Sequence, residues 1–263
     1  MQHWTNKEIH QLFPITLEDT IIKRGFTLAT LLILAQLAIA GCSVPAKTDS
    51  ALTTEQPYPP VIDPANFVSV IDNPYFPLTP GTTFIYEGKT EKGNEHNEVI
   101  VIPEVKTILG VPCVVVSDTV TVDGKLEEAT LDWYAQDKQG NVWYFGEDSK
   151  EYENGKVVST KGSWEAGVDG AQPGIIMEAN PKVGDTYRQE YYKGEAEDMA
   201  SVESLSEADT VPYGSFKDLL MTREWSALNP SVVEHKYYAR GVGFILVTMG
   251  DTERLELVDV RQN

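Results

Sequence analysis

The stretch Val111-Pro-Cys-Val-Val-Val-Ser-Asp-Thr-Val-Thr-Val-Asp-Gly-Lys-Leu126 decides the fold class. Its first half is a run of valines with Cys113 among them, which reads as a buried strand. Its second half alternates, and Asp123-Gly124 supplies the positive-φ corner of a tight hairpin. The same grammar extends outward in both directions. Thr82 to Tyr86, Glu98 to Val105 and Glu127 to Tyr134 are rich in Val, Ile, Thr and aromatics, with turn signals at Lys92-Gly-Asn and Leu109-Gly. Gln139-Gly-Asn141 separates Trp133-Tyr134 from Val142-Trp-Tyr-Phe145, and Asn154-Gly155 separates two further apolar pieces. Strands joined by close turns pair with their sequence neighbours, which predicts an antiparallel meander.

Downstream, Tyr187 to Tyr192, Ala196 to Leu205, Val232 to Tyr238, Phe244 to Met249 and Leu255 to Val260 resume strand character. Two segments read differently. Pro212 to Trp225 predicts a helix, and the glycine-rich Gly162 to Gly184 predicts a long ordered loop around Trp164. Before the meander, prolines break Val61 to Pro80 into short pieces, which predicts an ordered arm anchored by Tyr75, Phe76 and Leu78. The fold class is therefore mainly β: a single domain over residues 61–263, built on a curved antiparallel sheet, an open or half barrel, with a long Gly-rich loop.

The amino-terminal part has another character. Lys23-Arg24 precedes Gly25-Phe-Thr-Leu-Ala-Thr-Leu-Leu-Ile-Leu-Ala-Gln-Leu-Ala-Ile-Ala-Gly-Cys42, which carries no charge. A basic flank, a short apolar run and a small-residue exit are the parts of a secretory signal peptide. The exit Ile39-Ala-Gly-Cys42 resembles the lipobox of bacterial lipoproteins, which implies acylation of Cys42 and cleavage before it. Residues 1–41 are then a lipoprotein signal peptide, and the polar, proline-containing residues 42–60 a flexible tether. The expected location is the cell envelope, lipid-anchored to the membrane through Cys42 and facing the periplasm or exterior.

The chain carries 21 basic and 40 acidic residues, a net charge of −19. Loss of residues 1–41 removes three of each sign and leaves that imbalance intact. Such a charge repels nucleic acid and excludes it as a partner. With Cys42 acylated, Cys113 is the remaining cysteine of two, so no disulfide forms within the chain, and its valine-rich surroundings read as those of an inert buried thiol.

Three segments recur together in an uncharacterised group of secreted bacterial lipoproteins, which this chain resembles. They are Asn73-Pro-Tyr-Phe-Pro-Leu-Thr-Pro-Gly, then Trp133-Tyr-Ala-Gln-Asp-Lys-Gln-Gly-Asn-Val-Trp-Tyr-Phe-Gly with its continuation Gly162-Ser-Trp-Glu-Ala-Gly-Val-Asp-Gly, and last Val211-Pro-Tyr-Gly-Ser-Phe with Tyr237-Tyr-Ala-Arg-Gly-Val-Gly. The resemblance implies a curved antiparallel sheet, with a distant fold analogy to half-barrel lipoprotein carriers, and no reaction. Arg240 stands where the group's tail usually has proline, which predicts a looser turn.

Candidate sites are few. Trp143, Phe145, Trp164, Tyr187 and Tyr191 form the aromatic set expected to line a groove for an apolar small molecule, with core filling as the competing role. Glu195, Glu197 and Asp198 form an acidic turn that could offer oxygens to a cation, but the spacing of a calcium loop is absent and no metal or cofactor is implied. His96 and His235 are the histidines outside the leader, and no G-x-S-x-G, H-E-x-x-H, C-x-x-C or P-loop accompanies them. The sequence thus favours binding over catalysis. The expected roles are a carrier of an apolar ligand, alternatively an envelope protein that meets a protein partner, and last a carboxylate-dependent hydrolase. The anchor is directly testable. Labelling with a palmitate analogue is expected to mark the chain and to fail in Cys42→Ala, which leaves the membrane fraction; undiminished labelling of that variant would refute acylation at Cys42.

Overall fold

A computed structural model describes residues 59–90, 92–250 and 253–262. The expected signal peptide, Cys42 and nearly all of the tether lie outside the described residues. Among the described residues a 3-10 turn, Pro64–Asn66, comes first, with Asp63 accepting a hydrogen bond from the Ala65 amide. Strands follow: β1 (Phe67–Val68), β2 (Thr82–Thr90), β3 (Gly93–Ile108), β4 (Val111–Val122), β5 (Lys125–Asp137), β6 (Val142–Glu153), β7 (Lys156–Ser159) and β8 (Trp164–Glu165). The second half holds β9 (Gln172–Met177), β10 (Thr186–Arg188), β11 (Glu190–Tyr191), β12 (Asp198–Val211), β13 (Gly214–Ser226), β14 (Asn229–Ala239), β15 (Gly243–Met249) and β16 (Glu253–Gln262).

All pairings are antiparallel, and the path through the sheet is β10-β12-β13-β14-β15-β16-β2-β3-β4-β5-β6-β9-β11. Its thirteen strands form a nearly closed, barrel-like curve. The two ends of the path are neighbours in the chain. Thr186, Tyr187 and Arg188 pair with Ser201, Ala200 and Met199 of β12, whereas Glu190 and Tyr191 pair with Pro173 and Gln172 of β9. One short crossing segment therefore bonds to both edges and draws them together, removing open edges that would otherwise invite pairing with other chains. Gly174 makes the approach feasible: a Cβ there would lie 2.5 Å from the Arg188 carbonyl oxygen.

The meander read from the sequence is present, with Asp123 and Gly124 both at positive φ in the β4–β5 turn. Cys113 is fully buried in β4, which has core on both faces. On one face Val114 and Val116 join the cluster of Phe84, Val101 and Leu257, and on the other Cys113 and Val115 join Ile108, Trp133 and Phe145.

Two expectations are corrected. Pro212 to Trp225 is not a helix: β13 is hydrogen-bonded to β12 on one side and β14 on the other. The helix formers of Lys217 to Trp225 sit in a strand because pairing on both sides outweighs intrinsic propensity. The Gly162 to Gly184 segment is not one continuous loop. It contributes Trp164–Glu165 beside β6 and Gln172–Met177, which pairs through Ile175 with Trp143.

The proline-rich arm closes one end of the barrel. Ile71, Tyr75 and Leu78 are buried in the larger core. Asn73 is buried too; its side-chain amide donates to the carbonyls of Gly140 and Glu178 at 2.9 and 3.0 Å, and its oxygen accepts from the Tyr75 amide. Gln136 accepts from the amides of both Asp72 and Asn73. The Arg240 turn is not loosened: its guanidinium lies 4.5 Å from the Tyr75 ring, and Gly241 donates to the Pro74 carbonyl at 2.7 Å. Filling the Gly174 gap is expected to cost about 1–3 kcal/mol. Gly174→Ala should lower the urea midpoint and speed amide exchange across Thr186 to Tyr191, and unaltered exchange there would refute the seam's dependence on this contact.

Candidate functional site

Register assigns one face of every strand. Opposite Glu95, Asn97, Val99 and Val101 on β3 stand Val122, Val120, Asp118 and Val116 on β4. Opposite those on β5 come Glu128, Thr130 and Asp132, and on β6 Glu151, Ser149 and Glu147. The other direction brings Tyr86 and Leu257, then Leu255, Val247 and Lys236, then Thr222 and Glu224. This face is the concave one. Tyr134 on β5 and Tyr238 on β14 lie far apart along the sheet yet within each other's electrostatic reach, as do Glu95 and Glu234.

The interior so defined is divided along its length. Toward the arm it is packed with Phe84, Val101, Leu220, Leu257 and Met177, all buried. Toward the Asp123-Gly124 and Asn154-Gly155 turns it is lined by carboxylates. Here the side chains of Glu234 and Lys236 keep 18% and 23% of their exposure, so this half, called the chamber below, is less tightly closed than the apolar half.

The chamber wall is partly cross-bonded. Asn97 donates to Asp118 at 2.8 Å, Thr130 to Glu128 at 2.8 Å, and the Tyr144 hydroxyl to Asp132 at 2.6 Å. Lys236 lies 2.9 Å from Glu224 and 3.8 Å from Glu234. Glu224 also accepts from Thr222 and Tyr238. On β3, Glu95 Oε1 and Asn97 Oδ1 have no hydrogen-bond partner among the described residues, although the two residues are only 6% and 1% exposed.

Burial among like charges sets the proton affinities. Burial first, then the Glu253 charge, pushes Glu95 up to about 7. Burial raises Asp132 to about 7 against the pull of the Tyr144 hydrogen bond. Glu234 also reaches about 7, burial outweighing the Lys236 ammonium. Asp118 and Glu128 rise for the same first cause. Glu224 goes the other way: burial opposes its charge, but Lys236 and the hydrogen bonds hold it below the ordinary value.

The aromatic residues singled out from the sequence do not share one groove. Trp143 and Phe145 both pack against Phe67 of the arm, with ring centroids 6.3 and 5.5 Å away, and Phe145 is fully buried. The Trp143 indole donates to Asp137 at 2.9 Å. Trp164 is buried, packs edge-on to Tyr144 at 5.4 Å and donates to Glu190 at 2.6 Å. Tyr187, paired with Ala200, belongs to the interior, where burial and then the Glu224 charge raise its hydroxyl well above the ordinary range. Tyr191 is half-buried, with the Arg188 guanidinium 5.0 Å from its ring. Of the acidic turn, Asp198 lies at the start of β12, and Glu197 accepts from the Gly194 amide at 2.9 Å. His96 and His235 occupy the opposite, convex face, 3.7 Å from Glu87 and 3.4 Å from Glu203. The chamber itself was missed because its acids are scattered across the sequence; strand alternation in β3 and β5 was the available signal.

No family model and no curated protein matches the chain. A solved structure of similar shape is described as a "putative lipoprotein from Parabacteroides distasonis ATCC 8503"; the match covers 71% of this chain and 98% of that one at 15% identity, with a TM-score of 0.38. A score of this size is a loose likeness of shape and assigns no function.

The raised carboxyls link stability to pH. Each holds a proton in the folded chain that it would release when unfolded above its ordinary value of 4.5 or 3.8. Their contribution is fully present below those values and is lost as pH rises through about 7, whereas that of Glu224 is lost below 4.5. Thermal unfolding is expected at its highest midpoint near pH ~4.5, where the two contributions overlap, falling toward pH ~8. Glu95→Gln should flatten that fall, and an equal slope in both proteins would show that Glu95 is not among its causes.

Proposed function

We propose that this chain is a lipid-anchored envelope protein that binds a small ligand in the open half of its barrel. The observation that carries the reading is the asymmetry of the interior: a packed apolar floor closed by the arm, beneath a wall of buried and partly buried polar side chains. A fold concerned only with stability has little reason to keep so many carboxylates on its concave face, since each burial opposes the charged form. Pockets with a closed apolar base and a few convergent polar groups are a common form of ligand site.

Of the expected groove residues, Tyr187 lines this interior, and Trp164 packs on its Tyr144. Trp143 and Phe145 are engaged under Phe67 on the other face. Anchoring through Cys42 would hold the chamber near the membrane on a tether, in reach of solutes of the envelope.

The test is native mass spectrometry of the full chain extracted from its own envelope in mild detergent. The wild type is expected to carry a non-covalent adduct beyond its acyl chains, absent from Glu151→Trp, in which an indole fills the chamber rim. A bare wild-type mass refutes the reading. An adduct that survives in Glu151→Trp but is lost in Trp143→Ala refutes it as well and moves the ligand beneath the arm.

A further inference from the structure

The chamber's chemistry narrows the ligand, an inference that rests on the binding reading above. We infer that the chamber takes an organic polycation, a linear amine with two or more ammonium groups, between Glu95, Asn97 and Asp118 on one wall and Glu128 and Glu234 beside and opposite them.

Two observations of different kinds carry this. The first is charge: Glu95, Asp118, Glu128, Asp132, Glu234 and Glu253 lie within one another's fields, and the cations facing them are Lys92 and Lys236. Lys236 is already engaged by Glu224 and Glu234, and Lys92 reaches out to Glu127 at 3.6 Å. The second is unspent hydrogen-bonding capacity. Asn97 is uncharged, yet its Oδ1 is unpartnered, as is Oε1 of Glu95 two residues before it on the same face of β3. Buried acceptors without donors are costly, and two side by side on one wall call for a ligand that donates. An ammonium offers three donors and a compensating charge at once.

An organic cation fits better than a metal ion. Among the described residues, no three His, Cys, Asp or Glu side chains converge closely enough to hold a metal. The acids are spread instead over three strands at different levels, Glu95 on β3, Asp118 on β4 and Glu128 on β5, a spread that several ammonium groups along one flexible chain can follow. Met249 and Leu255 lie on the same face and offer apolar contact for those methylenes.

Binding is also proton-linked. An ammonium beside Glu95 favours its charged form, so a proton leaves as the amine enters. The groups that face Glu95 are Lys92, Glu128 on β5, Glu253 on β16 and Glu234 on β14, and the acids among them compete for the same protons. Affinity should therefore fall as pH drops below about 7.

The experiment is calorimetric titration of the full chain in detergent with spermidine, at an ionic strength of about 0.15 M to screen the acidic surface. Saturable one-site binding is expected, about tenfold weaker in Glu95→Gln and in Asn97→Leu. Glu104→Gln, an exposed acid of β3, should leave it unchanged. Binding should also weaken from pH ~7.5 to pH ~5.5, with heat that varies with the buffer's ionisation enthalpy as protons are released. Should Glu95→Gln fail to fold, the spermidine-induced rise in unfolding temperature of the wild type at the two pH values serves instead, and equal shifts overturn the proposal. So do equal losses in Glu95→Gln and Glu104→Gln, or calcium chloride matching spermidine. An absent spermidine heat alongside a co-purified adduct lost in Glu151→Trp overturns the amine class alone. Absence of both overturns the chamber reading with it.

Discussion

Closure of the sheet rests on one six-residue crossing. Thr186 to Arg188 bond to β12, Glu190 and Tyr191 bond to β9, and the chain changes partner at Gln189, whose amide donates to Asp198 at 2.8 Å. Without that double attachment the curved meander would have two free edges and no enclosed interior. With it, every strand has an inside and an outside, and the two-residue period of the side chains acquires consequences. Glycine at 174 is the steric condition, because backbone passes where a side chain would project.

Once closed, the barrel solves two problems on one face. Near the arm, apolar side chains interdigitate and supply the hydrophobic stabilisation. Toward the opposite end, the same strands carry acids whose burial is unfavourable. The cost is moderated where Glu234 keeps part of its exposure, where Lys236 sits between Glu224 and Glu234, and where protons stay on Glu95, Asp132 and Glu234. Strand length connects the halves: β3 carries Glu95 and Asn97 near its start and continues through Val99 and Val101.

Legibility from sequence followed the range of the interactions involved. The hairpin at Asp123-Gly124 is local, and both residues take the backbone conformation that their types favour. The β12–β13 pair was partly hidden. Its register shifts three times between Val202 and Asp209, which blurs alternation, and Leu219-Leu220-Met221 with Arg223-Glu224 has helical composition. The Asn73 motif was visible as a motif, but its reason was not: the donors and acceptors it joins come from Gly140, Glu178 and Gln136, far along the chain. The aromatic set illustrates the same limit. Trp143 and Phe145 share a face as alternation predicts, yet that face is taken by Phe67, a residue sequence reading placed only within the broken arm.

By itself the sequence determined the class of structure and the burial of Cys113. These depend on composition, alternation and turn chemistry, which act between residues a few positions apart. It also carries Ile39-Ala-Gly-Cys42, whose resemblance to a lipobox rests on residues adjacent in the chain. The closing of the barrel, the division of its interior and the meeting of Glu95 with Glu234 were decided by tertiary structure. Each depends on the path that wraps β14 around to face β3, and that path is set by the pairing of Thr186 to Tyr191 with two distant strands. A carboxylate's neighbours across an enclosed space leave no mark on the residues beside it in the chain.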